Sequence, residues 1–212
     1  MDIIETLGNA GVIPVIVIER EEQAVPLAKA LVKGGLPVLE VTFRTAAAAA
    51  IAAIRREVPE AILGAGTLLT PQMVKDAKAA GAVFGVAPGF DPVVMAAAEE
   101  AGLPMCPGIA TASELSQALT AGCRMVKFFP AEAAGGVKMI KNLLGAFRFT
   151  GVRFMPTGGV SAANLADYLA VPEIAACGGT WIVPKDAMAS GDWGRIRELA
   201  AEAVAIRRQV RA

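Results

Sequence analysis

Histidine is absent from the 212 residues. That removes the usual ligand of zinc-dependent aldolases and hydrolases and the base of a Ser-His-Asp triad, so any chemistry must run on other groups. Cysteine is scarce. Cys106, Cys123 and Cys177 are odd in number and widely spaced, which suits reduced thiols filling a core better than a disulfide framework or a zinc site. Net charge is missing too: twenty basic residues balance twenty acidic ones, leaving no electrostatic footprint for nucleic acid or an anionic membrane surface. No apolar run reaches the ~18 residues that span a bilayer, and residues 1–8 lack a basic stretch followed by an apolar one. These absences predict a soluble, cytoplasmic protein that acts on a small molecule, with no nucleic-acid or membrane partner.

What is present is apolar mass, 55% hydrophobic against 19% charged, enough for a substantial core. Short apolar runs at 12–18, 38–43, 61–67, 83–88, 104–109, 125–131, 153–159 and 174–183 read as strands. Helical stretches near 21–33, 46–57, 71–80, 92–101, 112–121, 136–146, 162–170 and 191–209 lie between and after them. Gly34, Gly81, Gly102 and Gly122 sit where left-handed residues end helices. Unbroken apolar strands belong to parallel sheets buried on both faces. Eight βα units predict a closed, short-looped (β/α)8 TIM barrel, a single domain over 1–212. The competing open, doubly wound sheet lacks a GxGxxG at its first βα turn.

In such a barrel, chemistry collects at the C-terminal ends of the strands. Lys127 is the one cation in the apolar run Met125-Val-Lys-Phe-Phe-Pro130. Desolvation favours the neutral amine, and a neutral amine attacks carbonyls to form a Schiff base. The other reading lets its stem lie along the strand while the head reaches solvent. Glu40 interrupts a second strand in Leu39-Glu-Val-Thr-Phe-Arg44. Glu40 and Arg44 read either as a structural ion pair, or as a proton shuttle beside a clamp for a substrate carboxylate. Gly64-Ala-Gly-Thr67 lets a ligand approach the third strand end, where the Thr67 hydroxyl can donate to an anion.

Two late glycine pairs speak to the substrate. Pro156-Thr-Gly-Gly159 and Cys177-Gly-Gly-Thr180 follow the last two strands, where this architecture cradles phosphate on backbone N–H groups. Each pair alone also reads as turn punctuation. Without metal ligands, carbon–carbon chemistry falls to the amine: a Schiff base is an electron sink that makes the α-carbon of a keto acid acidic. A phosphosugar isomerase or non-covalent phosphate-binding barrel would explain the glycines but leave Lys127 idle.

The stretches Glu-Val-Thr-Phe-Arg-Thr, Gly-Ala-Gly-Thr, Ala-Pro-Gly, Pro-Gly-Ile-Ala-Thr, Val-Lys-Phe-Phe-Pro-Ala-Glu, Pro-Thr-Gly-Gly-Val and Gly-Gly-Thr-Trp occur in order over nearly the whole chain. They closely resemble the 2-keto-3-deoxy-6-phosphogluconate (KDPG) and 4-hydroxy-2-oxoglutarate (KHG) aldolases of the Entner–Doudoroff pathway. The resemblance implies Lys127 as Schiff-base lysine and Glu40 as general acid/base, with Arg44, Thr67 and Thr157 around the substrate carboxylate and carbonyl. It implies Gly158, Gly159, Gly178, Gly179 and Thr180 around the phosphate, a homotrimer, no cofactor or metal, and cleavage to pyruvate and glyceraldehyde 3-phosphate.

Three segments depart from the family pattern. Thr180 stands where relatives often have serine, and the hydroxyl is kept. Residues 143–151 differ from the Gly-Pro-Phe that usually precedes the seventh strand. Thr45 and the alanines at 46–50 supply little of the charge expected on an exposed helix face. That run reads as a natural trimer contact or a compositional bias, or else as a surface for a self-assembling trimeric scaffold, engineered or natural.

Overall fold

Apolar strands and amphipathic helices alternate along the computed structural model, which describes residues 2–44 and 46–211. The described strands are β1 (Val12–Ile16), β2 (Val38–Thr42), β3 (Ile62–Gly66), β4 (Phe84–Val86), β5 (Met105–Cys106), β6 (Gly108–Ile109), β7 (Met125–Phe128), β8 (Arg153–Pro156) and β9 (Cys177–Gly179). The helices are α1 (Ile3–Ala10), α2 (Ala24–Lys33), α3 (Ala47–Glu57), α4 (Pro71–Ala80), α5 (Pro92–Glu100), α6 (Ala112–Thr120), α7 (Gly136–Phe147), α8 (Leu165–Leu169), α9 (Lys185–Ser190) and α10 (Trp193–Val210). Local chemistry sets several starts. Thr70 and Asp91 cap α4 and α5 with proline in the first turn, and Thr111 with Glu114 forms a capping box on α6.

This is an α/β fold in which every ladder is parallel. Six strands run in the order β5-β4-β3-β2-β1-β9 and three in the order β6-β7-β8. First and last strands meet, with Val12, Ile13 and Pro14 opposite Cys177, Gly178 and Gly179. Single parallel bridges, Phe154 to Ile174 and Thr157 to Gly178, link the second sheet to the region of β9.

The core has two parts because alternate strand residues face opposite ways. One packs the outer strand faces against the helices, with Val12, Leu39, Leu63 and Val126 among its members. The other lies inside the curve of the sheets and joins Ile13, Val38, Phe84, Val86, Cys106, Met125 and Met155 to Leu7 of α1. Several of these residues open their strands, so α1 closes the N-terminal end of the strands and leaves the C-terminal end free. Burial of Leu7 alone contributes about 2 kcal/mol.

Some expectations are corrected. The strand expected at 104–109 is broken at Pro107, which has no N–H to give a ladder; its carbonyl instead accepts from the Lys127 N–H at 2.8 Å. The strand expected at 174–183 contracts to Cys177–Gly179, and α1 and α9 form where no helix was expected. Gly81, Gly102 and Gly122 have φ of +105°, +60° and +80°, as expected of helix ends, but Gly34 is right-handed at −79° and Gly35 takes the left-handed turn at +92°. Gly34 serves packing instead, since a Cβ there would lie 2.5 Å from the Ala200 Cβ on α10.

The three cysteines are free and buried, in keeping with core filling; burial pushes Cys177 up to about 12. Of the alanine-rich segment, Ala47, Ala50 and Ala53 are buried under α3 while Ala48, Ala49 and Ala52 face outward. Thr45 lies outside the described residues. Residues 143–151 finish α7, make one 3-10 turn and end at Gly151 with φ +72°, leaving the Phe149 side chain 89% exposed. No helix among the described residues is long and apolar enough to cross a membrane.

Candidate active site

Glu40 stands in the middle of β2 and Lys127 one residue before the end of β7, 87 positions apart in sequence, with the Lys127 Nζ 3.4 Å from the Glu40 Oε1. The lysine side chain is 7% exposed and the glutamate 0%. Both readings that kept these residues apart are therefore corrected. The Lys127 amine stays inside instead of reaching solvent, and Glu40 pairs with Lys127 and not with Arg44, which is exposed. The ring of Phe129 lies 5.3 Å from Nζ and supplies a cation–π contact. Glu40 Oε2 is buried without a hydrogen-bond partner, an oxygen left for another group to meet.

Room for the carboxylate comes from a missing side chain. On β3, a Cβ at Gly66 would sit 2.3 Å from Glu40 Oε1 and 2.9 Å from its Cδ. Thr67 follows at φ +61°, uncommon for any residue with a Cβ and strained for a β-branched one. Thr157, at the end of β8, is 5% exposed with its Oγ1 buried and unpartnered. The hydroxyl fits there because position 178 is glycine; a Cβ would come within 2.4 Å of it.

All ten residues expected at the site line one cavity of about 320 Å³: Glu40, Arg44, Thr67, Lys127, Thr157 and the two glycine segments, Gly158 and Gly159 with Gly178, Gly179 and Thr180. Val15, Thr42, Pro88, Phe129 and Val160 complete the lining; of these, sequence reasoning gave only Phe129 a part, as an apolar neighbour of Lys127. Thr42 was within reach, because it lies two positions after Glu40 and so shares its strand face; its hydroxyl donates to the Ile16 carbonyl at 2.9 Å. A larger cavity of about 920 Å³ adjoins through Val15, Arg44 and Thr180, while one of about 680 Å³, lined by Ile3, Ile4 and Met125, carries no comparable set of polar groups.

The glycine pairs divide by cause. Gly158 and Gly159 have φ of +98° and +82°, open to glycine at little cost. Gly178 makes room for Thr157, and Gly179 for the ring of Trp181, 1.6 Å from where a Cβ would be. Packing thus accounts for the second pair by itself. At the first pair, among the described residues, the N–H groups of Gly159 and Val160 donate to no protein acceptor.

The aldolase family model described as KDPG and KHG aldolase matches residues 3–199. The chain belongs to the KDPG and KHG aldolase family. It is 53% identical over 199 residues to the KHG/KDPG aldolase of Escherichia coli strain K12, covering 93% of this chain and 92% of that one. A KDPG aldolase of Legionella pneumophila, solved with pyruvate captured as a covalent carbinolamine intermediate, superposes with a TM-score of 0.90 at 42% identity, covering 94% and 97% of the two chains. The aldolase of Zymomonas mobilis with 3-phosphoglycerate gives 0.89 at 42% identity and covers 100% and 98%.

Proposed function

We propose that this family member is a metal-independent class I aldolase that cleaves 2-keto-3-deoxy-6-phosphogluconate to pyruvate and glyceraldehyde 3-phosphate, and that it also accepts 4-hydroxy-2-oxoglutarate. The observation that carries this reading is the enclosed Lys127 and Glu40 pair facing unpartnered polar atoms in one cavity. The relatives that trapped pyruvate covalently and held 3-phosphoglycerate support the two halves of the substrate.

In the cycle Lys127 passes a proton to Glu40, and its neutral Nζ attacks the C2 carbonyl and forms a carbinolamine; Glu40 protonates its hydroxyl, water leaves and a cationic imine remains. The Glu40 carboxylate then takes the proton of the C4 hydroxyl. The C3–C4 bond breaks, its electron pair moves into the imine to give an enamine, and C4 departs as the aldehyde. Glu40 returns the proton to C3, and water releases pyruvate from Lys127. Arg44 grips the substrate carboxylate, Thr67 and Thr157 bond the carboxylate and carbonyl, and Gly158, Gly159, Gly178, Gly179 and Thr180 hold the phosphate.

The same reading makes residues 1–212 one domain, with the two sheets closed as a single (β/α)8 TIM barrel whose fifth strand is β5 and β6 bent at Pro107. The meeting of β1 with β9 and the bridges beyond β8 support closure. It also makes the protein a cytoplasmic homotrimer. In the test, pyruvate release from the phosphorylated substrate is followed for the parent and for Lys127→Ala. The parent turns over and the variant does not, with its fold kept; turnover by a folded Lys127→Ala would sink the covalent mechanism.

A further inference from the structure

Glu132 closes the Phe-Phe-Pro-Ala-Glu run yet has no part in the chemistry above. Its backbone N–H donates to the Gly158 carbonyl at 3.0 Å, next to the Ala131 N–H, which donates to the Thr157 carbonyl at 2.8 Å. Its side chain lies along the glycine loop: a Cβ at Gly159 would meet the Glu132 Cγ at 2.5 Å and its Cβ at 2.6 Å. The far end of the carboxylate accepts a hydrogen bond from the hydroxyl of Tyr168, a residue of α8 that is 1% exposed. Burial, and then Glu132 itself, push the Tyr168 phenol well above its usual range, so it remains a donor. On the other side of the loop, Asn164 donates from Nδ2 to the Gly159 carbonyl at 3.1 Å and accepts from the Ser161 N–H at 2.8 Å.

The carbonyls at 158 and 159 are therefore both tied to the protein, while among the described residues the N–H groups of Gly159 and Val160, two residues of the cavity lining, donate to no protein acceptor. Two successive glycines at positive φ have wide conformational freedom, and an unheld loop would lose its N–H alignment. We propose that Glu132, braced by Tyr168 and opposed by Asn164, is a positioning residue that fixes the 158–160 loop as an anion cradle. The inference rests on the aldolase reading for the identity of the anion, a substrate phosphate. A carboxylate this close to an anion site repels the anion, so a favourable role for Glu132 has to come through geometry.

Charge and positioning predict opposite signs, which makes the test direct. Binding of inorganic phosphate is measured by calorimetry for the parent, Glu132→Ala, Glu132→Gln, Tyr168→Phe and Asn164→Ala. Positioning predicts phosphate about tenfold or more weaker in Glu132→Ala and Asn164→Ala, smaller losses in Tyr168→Phe, and rescue in Glu132→Gln, which keeps the stem and an acceptor for Tyr168. In turnover, KM for the phosphorylated substrate rises while kcat for unphosphorylated 4-hydroxy-2-oxoglutarate holds within about twofold. Unchanged or tighter phosphate binding in a folded Glu132→Ala overturns the proposal, as does an equal loss on both substrates. Phosphate binding is read without turnover, so a parent that binds phosphate but makes no imine with pyruvate would overturn the aldolase reading and still decide this one.

Discussion

Gly66→Ala tests the proton-transfer role proposed for Glu40 while leaving both Glu40 and Lys127 in the sequence. The new Cβ would stand 2.3 Å from Glu40 Oε1, 2.8 Å from its Cγ and 2.9 Å from its Cδ, and Glu40 is fully buried, so the carboxylate has no solvent to retreat into. Ordinary contact requires a displacement of about 1 Å, and misplacing a catalytic group by that much lowers rates by about 10²-fold. Overpacking should cost about 1–3 kcal/mol of stability, little enough for the fold to persist. Exchange of the pyruvate methyl protons in D2O, followed by NMR, reads the proton transfer at C3, and borohydride reduction reads the imine at Lys127. The variant should exchange about 10²-fold more slowly and should still accumulate the trapped adduct on long incubation, because the dehydration Glu40 assists is slowed and not blocked. Exchange at the parental rate in a folded Gly66→Ala protein would refute the role given to Glu40.

Thr157→Val should weaken activity without weakening the fold, because the Thr157 Oγ1 is buried with no partner to lose. Turnover should fall about tenfold with a melting temperature unchanged or raised; a lower melting temperature with normal turnover would count against Thr157 as a substrate contact. Glu114→Ala should remove about 1 kcal/mol at neutral pH by breaking the α6 capping box. Hydrogen bonds from the Ala110 N–H, then from Thr111, hold the Glu114 carboxyl below the usual range, so its contribution is full above the ordinary carboxylate pKa and fades as pH falls through the depressed one. Urea unfolding at several pH values should find the variant and parent converging in acid, and a gap that widens there would contradict the assignment.

The grouping of the candidate residues was more legible than the fold around it. Lys127 and Glu40 stood out because a charge inside an apolar strand is rare, and the strand-end motifs put every expected residue on one cavity. Which charges meet was not legible: Glu40 and Arg44 are near in sequence, whereas the 3.4 Å partner of Glu40 comes from another sheet. The strand at 104–109 misled because its apolar pattern is intact, and only the missing N–H of Pro107 breaks it. For α1 the signal existed, with Asp2 accepting from the N–H groups of Ile4 and Glu5 and Gly11 ending the helix at φ +69°. At Gly34 the deciding neighbour is Ala200, on a helix far along the chain, and no local pattern reveals that approach.

Incubation with pyruvate and borohydride, followed by peptide mass mapping, tests the central claim most directly. The account predicts a reduced pyruvate adduct on the peptide carrying Lys127 and on no other lysine. A folded protein with no adduct, or with the adduct elsewhere, would contradict it.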